Sequence, residues 1–124
     1  MIGTYAAPAA SPPHDRVEFA HESERRFAAL LDFYGVEWCY EPRTFVLEED
    51  AHGVRSAFTP DFYLPGYDLY VELTTLRQKL VTKKNRKVRQ LRERYPDVTI
   101  KVLYQRDMHA LLSGRGPSDT RKAR

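Results

Sequence analysis

The sequence of 124 residues contains a single cysteine, Cys39, and four histidines that are scattered along the chain. One cysteine cannot form a disulfide within the chain, and the histidines form no Cys/His pattern that would bind structural zinc. A disulfide-stabilised scaffold and a zinc finger are therefore both excluded. The near absence of cysteine indicates a reducing compartment, and we expect a cytoplasmic protein.

Long apolar segments are also absent. The longest apolar runs are far too short to cross a bilayer, so we expect no membrane partner. The N-terminal stretch "MIGTYAAPAASPP" has neither a basic start nor a sustained apolar segment, which is untypical of a secretory signal. At this length, 42% hydrophobic residues suffice for one domain with a single core. We predict a flexible tail at 1–16, one folded domain at 17–113 and a basic tail at 114–124.

Positive charge is concentrated in one segment. Between Arg77 and Arg94 there are nine basic residues and one acidic residue, a local charge of +8 in a chain whose net charge is +3. The rest of the chain therefore carries −5. A basic helix on an otherwise acidic chain is typical of polyanion binders, because basic side chains displace counterions from phosphates. A solvated helix face is the alternative that charge alone leaves open.

Apolar periodicity predicts the element order helix, strands, helix, strand, helix. The first helix spans about 19–34. The strands predicted in "VEWCYEP", "RTFVLEE" and "VRSAFTPDFYL" form a meander, and another strand in "YDLYVELT" precedes the second helix. The second helix begins near Thr82 as its N-cap and ends before Pro96. A strand in "VTIKVLY" and a short helix in "DMHALLS" follow.

A tight turn at 65–66 sets the register of a predicted hairpin. With Leu64 opposite Tyr67, the apolar residues fall on one face and the polar residues on the other. Asp61 and Glu72 then share the polar face as diagonal neighbours, with Cβ atoms on the order of 7 Å apart. One divalent cation could bridge two carboxylates at that separation. A merely solvated face is the alternative, because such alternation is routine in antiparallel sheets.

Two charged residues are predicted on helix faces that should be apolar. Glu24 lies on the stripe of Phe27 and Leu31, and Lys84 lies on the stripe that contains Val88. Inward charges cost free energy unless they are paired or bind a ligand. They therefore predict a partner shared with the two hairpin carboxylates. The alternative is that each lies at a helix end and reaches water.

The segment "TPDFYLPGYDLYVELT" resembles the Pro-Asp…Glu-x-Lys motif of the PD-(D/E)xK nuclease superfamily, and the chain is most similar to its small phage-type Holliday-junction-resolving endonucleases. The resemblance implies an α/β fold with a restriction-endonuclease-like αβββαβ core and a mixed central sheet flanked by helices. Asp61 matches the motif Asp, Glu72 the motif Glu, and Glu24 a first-helix acid found in some members. The motif lysine is replaced by Thr74.

The resemblance implies that residues 17–113 form a metal-dependent endonuclease that hydrolyses phosphodiester bonds in DNA. Whether the enzyme selects branched or nicked DNA, whether it cuts RNA and whether it forms a homodimer stay open. Asp61, Glu72 and the Leu73 carbonyl would bind Mg²⁺ or Mn²⁺, since all three are hard oxygen ligands. Glu24 would hold a water molecule on the metal.

The cation that Thr74 cannot supply must come from elsewhere in such a nuclease. Lys84 is the first candidate because it points toward the sheet, and Lys79, in the connecting loop, is the second. Four further basic residues would bind backbone phosphates without reading the sequence: Lys83, Arg86, Lys87 and Arg89. The alternative is a catalytically decayed nuclease fold that serves as a nucleic-acid-binding or accessory module.

Overall fold

The computed structural model describes residues 12–74, 78–104, 106, 107 and 110, and only the backbone of residues 78–80. Two α-helices and six strands lie in these residues. The helices are α1 (Glu22–Phe33) and α2 (Gln78–Arg94). The strands are β1 (Cys39–Tyr40), β2 (Phe45–Asp50), β3 (Gly53–Phe58), β4 (Phe62–Leu64), β5 (Leu69–Thr74) and β6 (Ile100–Tyr104). Within the described residues, neither helix combines the length and the apolar character that a membrane span needs.

Four of the strands form one mixed sheet in the order β1-β4-β5-β6. The pairs β1/β4 and β4/β5 are antiparallel, whereas β5 and β6 are parallel and are connected through α2. Parallel neighbours need such a crossover, and a helix usually supplies it. The mixed sheet with its two helices confirms the predicted α/β class.

The two helices cover opposite faces of β5. Residues Phe27 and Leu31 of α1 pack against Val71 in one core cluster. In the second cluster, α2 packs against β6 and against Tyr70, the neighbour of Val71 on β5. Since neighbouring strand residues point to opposite faces, β5 is covered on both sides. The face that carries Glu72 is therefore buried, and the alternative of a solvated face is wrong for this strand.

The strands β2 and β3 form a separate two-stranded sheet, so the predicted meander is wrong. Strand β3 ends at Phe58 and β4 begins at Phe62, so the predicted single strand "VRSAFTPDFYL" is interrupted. Pro60 lies in the break, and it cannot donate a ladder hydrogen bond because it has no N–H group. The hairpin packs on α2 instead, where Phe45 and Leu91 share a core cluster.

Two other boundaries differ from those expected. Helix α2 begins at Gln78, four residues before Thr82, because no helix breaker stands between them. Lys79 therefore lies in the first turn of the helix and not in a loop. In the predicted tail 1–16, Pro13–Asp15 form a 3₁₀ turn, and the His14 amide donates to Asp32 Oδ2 on α1 at 2.9 Å. The structured part thus begins before position 17.

Several sequence-based expectations fall outside the described residues. These are the tail at 1–11, the basic tail at 114–124 and most of the segment "DMHALLS". Residues 107 and 110 of that segment are helical, as expected.

Candidate active site

The β4–β5 hairpin places Asp61 opposite Glu72. The observed register pairs Leu64 with Leu69, two residues away from the predicted partner Tyr67. The turn is longer than expected, because a 3₁₀ turn over 65–67 is followed by Asp68 in the left-handed conformation at φ 49°. A shift by two residues keeps every side chain on its face. The predicted register is thus wrong and the predicted shared face is right.

Reciprocal hydrogen bonds fix the two carboxylates. The Asp61 amide donates to Glu72 Oε1 at 3.0 Å, and the Leu73 amide donates to Asp61 Oδ2 at 2.9 Å. Strand β4 begins at Phe62 and offers the Leu73 amide no backbone partner, and the Asp61 side chain takes the place of that partner. Asp61 is 8% exposed and Glu72 is 3% exposed, so both side chains are held in the interior. Each carboxylate keeps one oxygen that these two bonds do not use.

Ionising both carboxylates of the buried pair at once is unfavourable. Burial is the main cause that raises the pKa of Asp61 to about 8, and the neighbouring Glu72 charge raises it further. Burial also raises the pKa of Glu72, against the opposing hydrogen bond and charge of Lys84. Desolvation and like-charge repulsion both favour the neutral acid. The pair therefore favours a proton or a cation at neutral pH.

Lys84 brings an ammonium group to this pair. Its Nζ lies 2.5 Å from Glu72 Oε2 and donates to the Leu73 carbonyl oxygen at 3.0 Å. The lysine side chain is 19% exposed, so it retains some access to water. Thr74, which shares the face of Glu72, is buried, and its Oγ1 has no hydrogen-bond partner in the described part of the chain. The position expected for Lys84 is thus observed, and its catalytic role stays a prediction.

Glu24 is buried beside the pair and is oriented by a residue that the sequence did not single out. The Tyr40 hydroxyl donates to Glu24 Oε1 at 2.6 Å. Burial, followed by this hydrogen bond, raises the pKa of Tyr40. The charge of Glu24 contributes to the raised pKa values of Asp61 and Glu72. The alternation in "VEWCYEP" was the available signal, since it places Tyr40 on the face of Trp38.

The donor atoms suit a hard divalent cation. Among the described residues, no three His, Cys, Asp or Glu side chains form a metal-binding group. The proposed ligands are instead two carboxylates, Asp61 and Glu72, and the Leu73 carbonyl, which are all oxygen donors suited to Mg²⁺. Glu72 Oε2 and the Leu73 carbonyl already converge on one cation, the Lys84 ammonium. Two of the three proposed ligand oxygens thus already contact one positively charged group.

The basic residues of α2 fall into two groups. Lys83, Arg86 and Arg89 are exposed, as expected for a surface that binds phosphates. Lys87 is partly buried, and its Nζ donates to the Ala57 carbonyl oxygen of β3 at 3.0 Å. Lys87 thus anchors the β2–β3 hairpin to the helix. The side chain of Lys79 lies outside the described residues.

Comparison with known proteins identifies no relative. No family model, no curated protein and no solved structure matches the chain. The resemblance to PD-(D/E)xK nucleases therefore stays a prediction from the motif residues quoted above.

Proposed function

We propose that the protein is a metal-dependent endonuclease that hydrolyses phosphodiester bonds in DNA. The observation that supports this proposal is the buried Asp61–Glu72 pair, fixed by backbone amides and contacted by the Lys84 ammonium. Burying like charges side by side is unfavourable for folding unless a partner or a ligand compensates for them. Strongly raised carboxylate pKa values are typical of catalytic and metal-binding sites.

Asp61, Glu72 and the Leu73 carbonyl would hold Mg²⁺ or Mn²⁺. Such an ion supplies a Lewis acid for the phosphate and lowers the pKa of an attacking water. The backbone amides bind Asp61 Oδ2 and Glu72 Oε1, so the other oxygen of each carboxylate would be the one offered to a metal. This arrangement fixes the donors before binding, which reduces the conformational entropy that binding costs.

Two further side chains would act on the substrate. The Lys84 ammonium would stabilise the negative charge that develops on the phosphate, a contribution that Thr74 cannot make. Glu24, held by Tyr40, would orient the attacking water. In this proposal the cation of the motif has moved from strand β5 to helix α2.

The exposed face of α2 would bind the DNA backbone. Lys83, Arg86 and Arg89 lie on the helix that also carries Lys84. Their charges would attract phosphates without distinguishing bases. This mode of binding suits an enzyme that selects branched or nicked DNA by its shape.

A catalytically decayed, nucleic-acid-binding module is the second candidate. One observation favours it: Lys84 already neutralises Glu72, and Asp61 already satisfies the buried Leu73 amide. The same residues would then stabilise the sheet edge and bind no metal.

A cleavage panel distinguishes the two candidates. Labelled single-stranded, duplex, nicked and four-way-junction DNA, together with an RNA duplex, would be incubated with Mg²⁺, Mn²⁺ or EDTA. Cleavage that requires a metal and disappears in Asp61→Asn supports the nuclease. Binding of the same substrates without cleavage in either metal supports the decayed module.

A further inference from the structure

Lys84 occupies the position where a divalent ion would bind. Its ammonium contacts two of the three proposed metal ligands, Glu72 Oε2 and the Leu73 carbonyl oxygen, at 2.5 and 3.0 Å. A metal ion bound to the same two oxygens would lie within a few ångströms of the ammonium. Two cations at such a separation repel strongly in a buried site. Lys84 and the metal therefore compete for these oxygens.

From this geometry we propose that Lys84 is the resident cation of the carboxylate pair and that a divalent ion enters only by displacing it. This inference depends on the metal site of the proposed function. Without metal, the ammonium offsets part of the charge that Asp61 and Glu72 bury. With metal, the ammonium leaves both oxygens and becomes free to contact a phosphate.

The side chain has the means to move. Lysine has a long flexible stem, and the Lys84 side chain is partly exposed, so its head group can reach water while α2 stays in place. The two carboxylates cannot follow, because backbone amides hold one oxygen of each. Displacement therefore changes the position of one side chain and leaves the ligands fixed.

The structure places the competing cation on a different element from the ligands. Glu72 and the Leu73 carbonyl belong to β5, whereas Lys84 comes from α2. A lysine at position 74 would extend from the strand of the ligands itself. In this protein, by contrast, metal binding would release the Lys84 ammonium toward the substrate. Metal binding and the placement of the catalytic cation would thereby be coupled.

Titration calorimetry with Mn²⁺ alone tests the proposal. We expect Lys84→Met to bind Mn²⁺ at least about tenfold more tightly than the wild type, because the competing charge is removed. Lys83→Met removes the same charge from the neighbouring exposed position and should bind within about twofold of the wild type. Lys84→Gln serves as a second variant that keeps a polar head group, and far-ultraviolet circular dichroism verifies that each variant folds.

The outcomes separate this proposal from the proposed function. If the wild type and both Lys84 variants bind Mn²⁺ equally, or if the variants bind more weakly, displacement is refuted while the metal site stands. If neither the wild type nor any variant binds Mn²⁺, the metal site is refuted and displacement with it. Tighter binding by the Lys84 variants alone supports displacement.

Discussion

Replacing Asp61 by asparagine isolates the charge of the buried pair. The side-chain amide oxygen that Asp61→Asn introduces can still accept the Leu73 N–H bond that Asp61 Oδ2 accepts at 2.9 Å. Alanine is less suitable, because it would leave the Leu73 amide buried without a partner at a cost of about 1–3 kcal/mol. Asp61→Asn therefore removes the negative charge and retains the hydrogen bond.

The raised pKa of Asp61 fixes the sign of the effect. The pKa rises from the ordinary value of 3.8 to about 8, so the folded state binds the proton more tightly than the unfolded state. The resulting stabilisation is complete below the unfolded pKa and is lost as the pH rises through 8. Each pH unit within this window changes the free energy of unfolding by at most about 1.4 kcal/mol.

Asparagine does not titrate, so its advantage should grow with pH. From pH 5 to pH 8, the stability of the variant relative to the wild type would rise by up to about 4 kcal/mol. We expect about half, roughly 2 kcal/mol, because Lys84 and water can rearrange around the carboxylates. In a domain of this size that corresponds to a difference in Tm of about 8 °C.

Urea denaturation in EDTA between pH 5 and pH 9 measures this difference. The wild type and Asp61→Asn should have similar stability at pH 5, and the variant should be more stable at pH 8. Asp97→Asn, at an exposed position, provides the matched control. Its difference in stability from the wild type should not grow with pH. Parallel stability curves for the wild type and Asp61→Asn would refute the buried charge repulsion.

Three further changes test the Lys84 ion pair, the orientation of Glu24 and the phosphate-binding face of α2. Lys84→Met should lower the free energy of unfolding by about 2–3 kcal/mol. A double-mutant cycle with Glu72→Gln should give a coupling energy of at least about 1 kcal/mol, and additive effects would contradict the ion pair. Tyr40→Phe should slow single-turnover cleavage about tenfold at unchanged DNA affinity, because it frees the glutamate that Tyr40 orients; an unchanged rate would remove that role. Replacing Arg86 and Arg89 by Gln should flatten the slope of log affinity against log salt by roughly one per lost phosphate contact; an unchanged slope would place the DNA on another surface.

The faces of the helices and strands could be predicted from the sequence. Side-chain periodicity alone placed Asp61 and Glu72 on one face, and it directed Lys84 inward from α2. These predictions hold because a side chain's face depends on local backbone geometry, which survives a register error of two residues.

The partners of those side chains could not be predicted in the same way. The left-handed Asp68 lengthened the turn and moved Asp61 from a diagonal position to a position opposite Glu72. The predicted strand is interrupted at Pro60, and β3 and β4 belong to different sheets. Tyr40 binds Glu24 only because β1 and α1 pack together, so its role depends on tertiary contacts.

Helix α2 likewise shows that tertiary contacts could not be predicted from the sequence. Its charge density predicted one phosphate-binding surface that included Lys87. The β2–β3 hairpin packs on the helix and binds the Lys87 ammonium through the Ala57 carbonyl. Charge along a sequence predicts a basic face, but neighbouring elements decide which of its residues remain exposed.

Single-turnover cleavage of a labelled four-way junction by the wild type and by Glu72→Gln, over a range of Mg²⁺ concentrations, tests the metal-dependent nuclease most directly. We expect cleavage by the wild type only with Mg²⁺, and a rate at least about 100-fold lower in Glu72→Gln at equal DNA affinity. Cleavage in EDTA, or equal rates for the two proteins, would contradict a catalytic metal at Asp61 and Glu72.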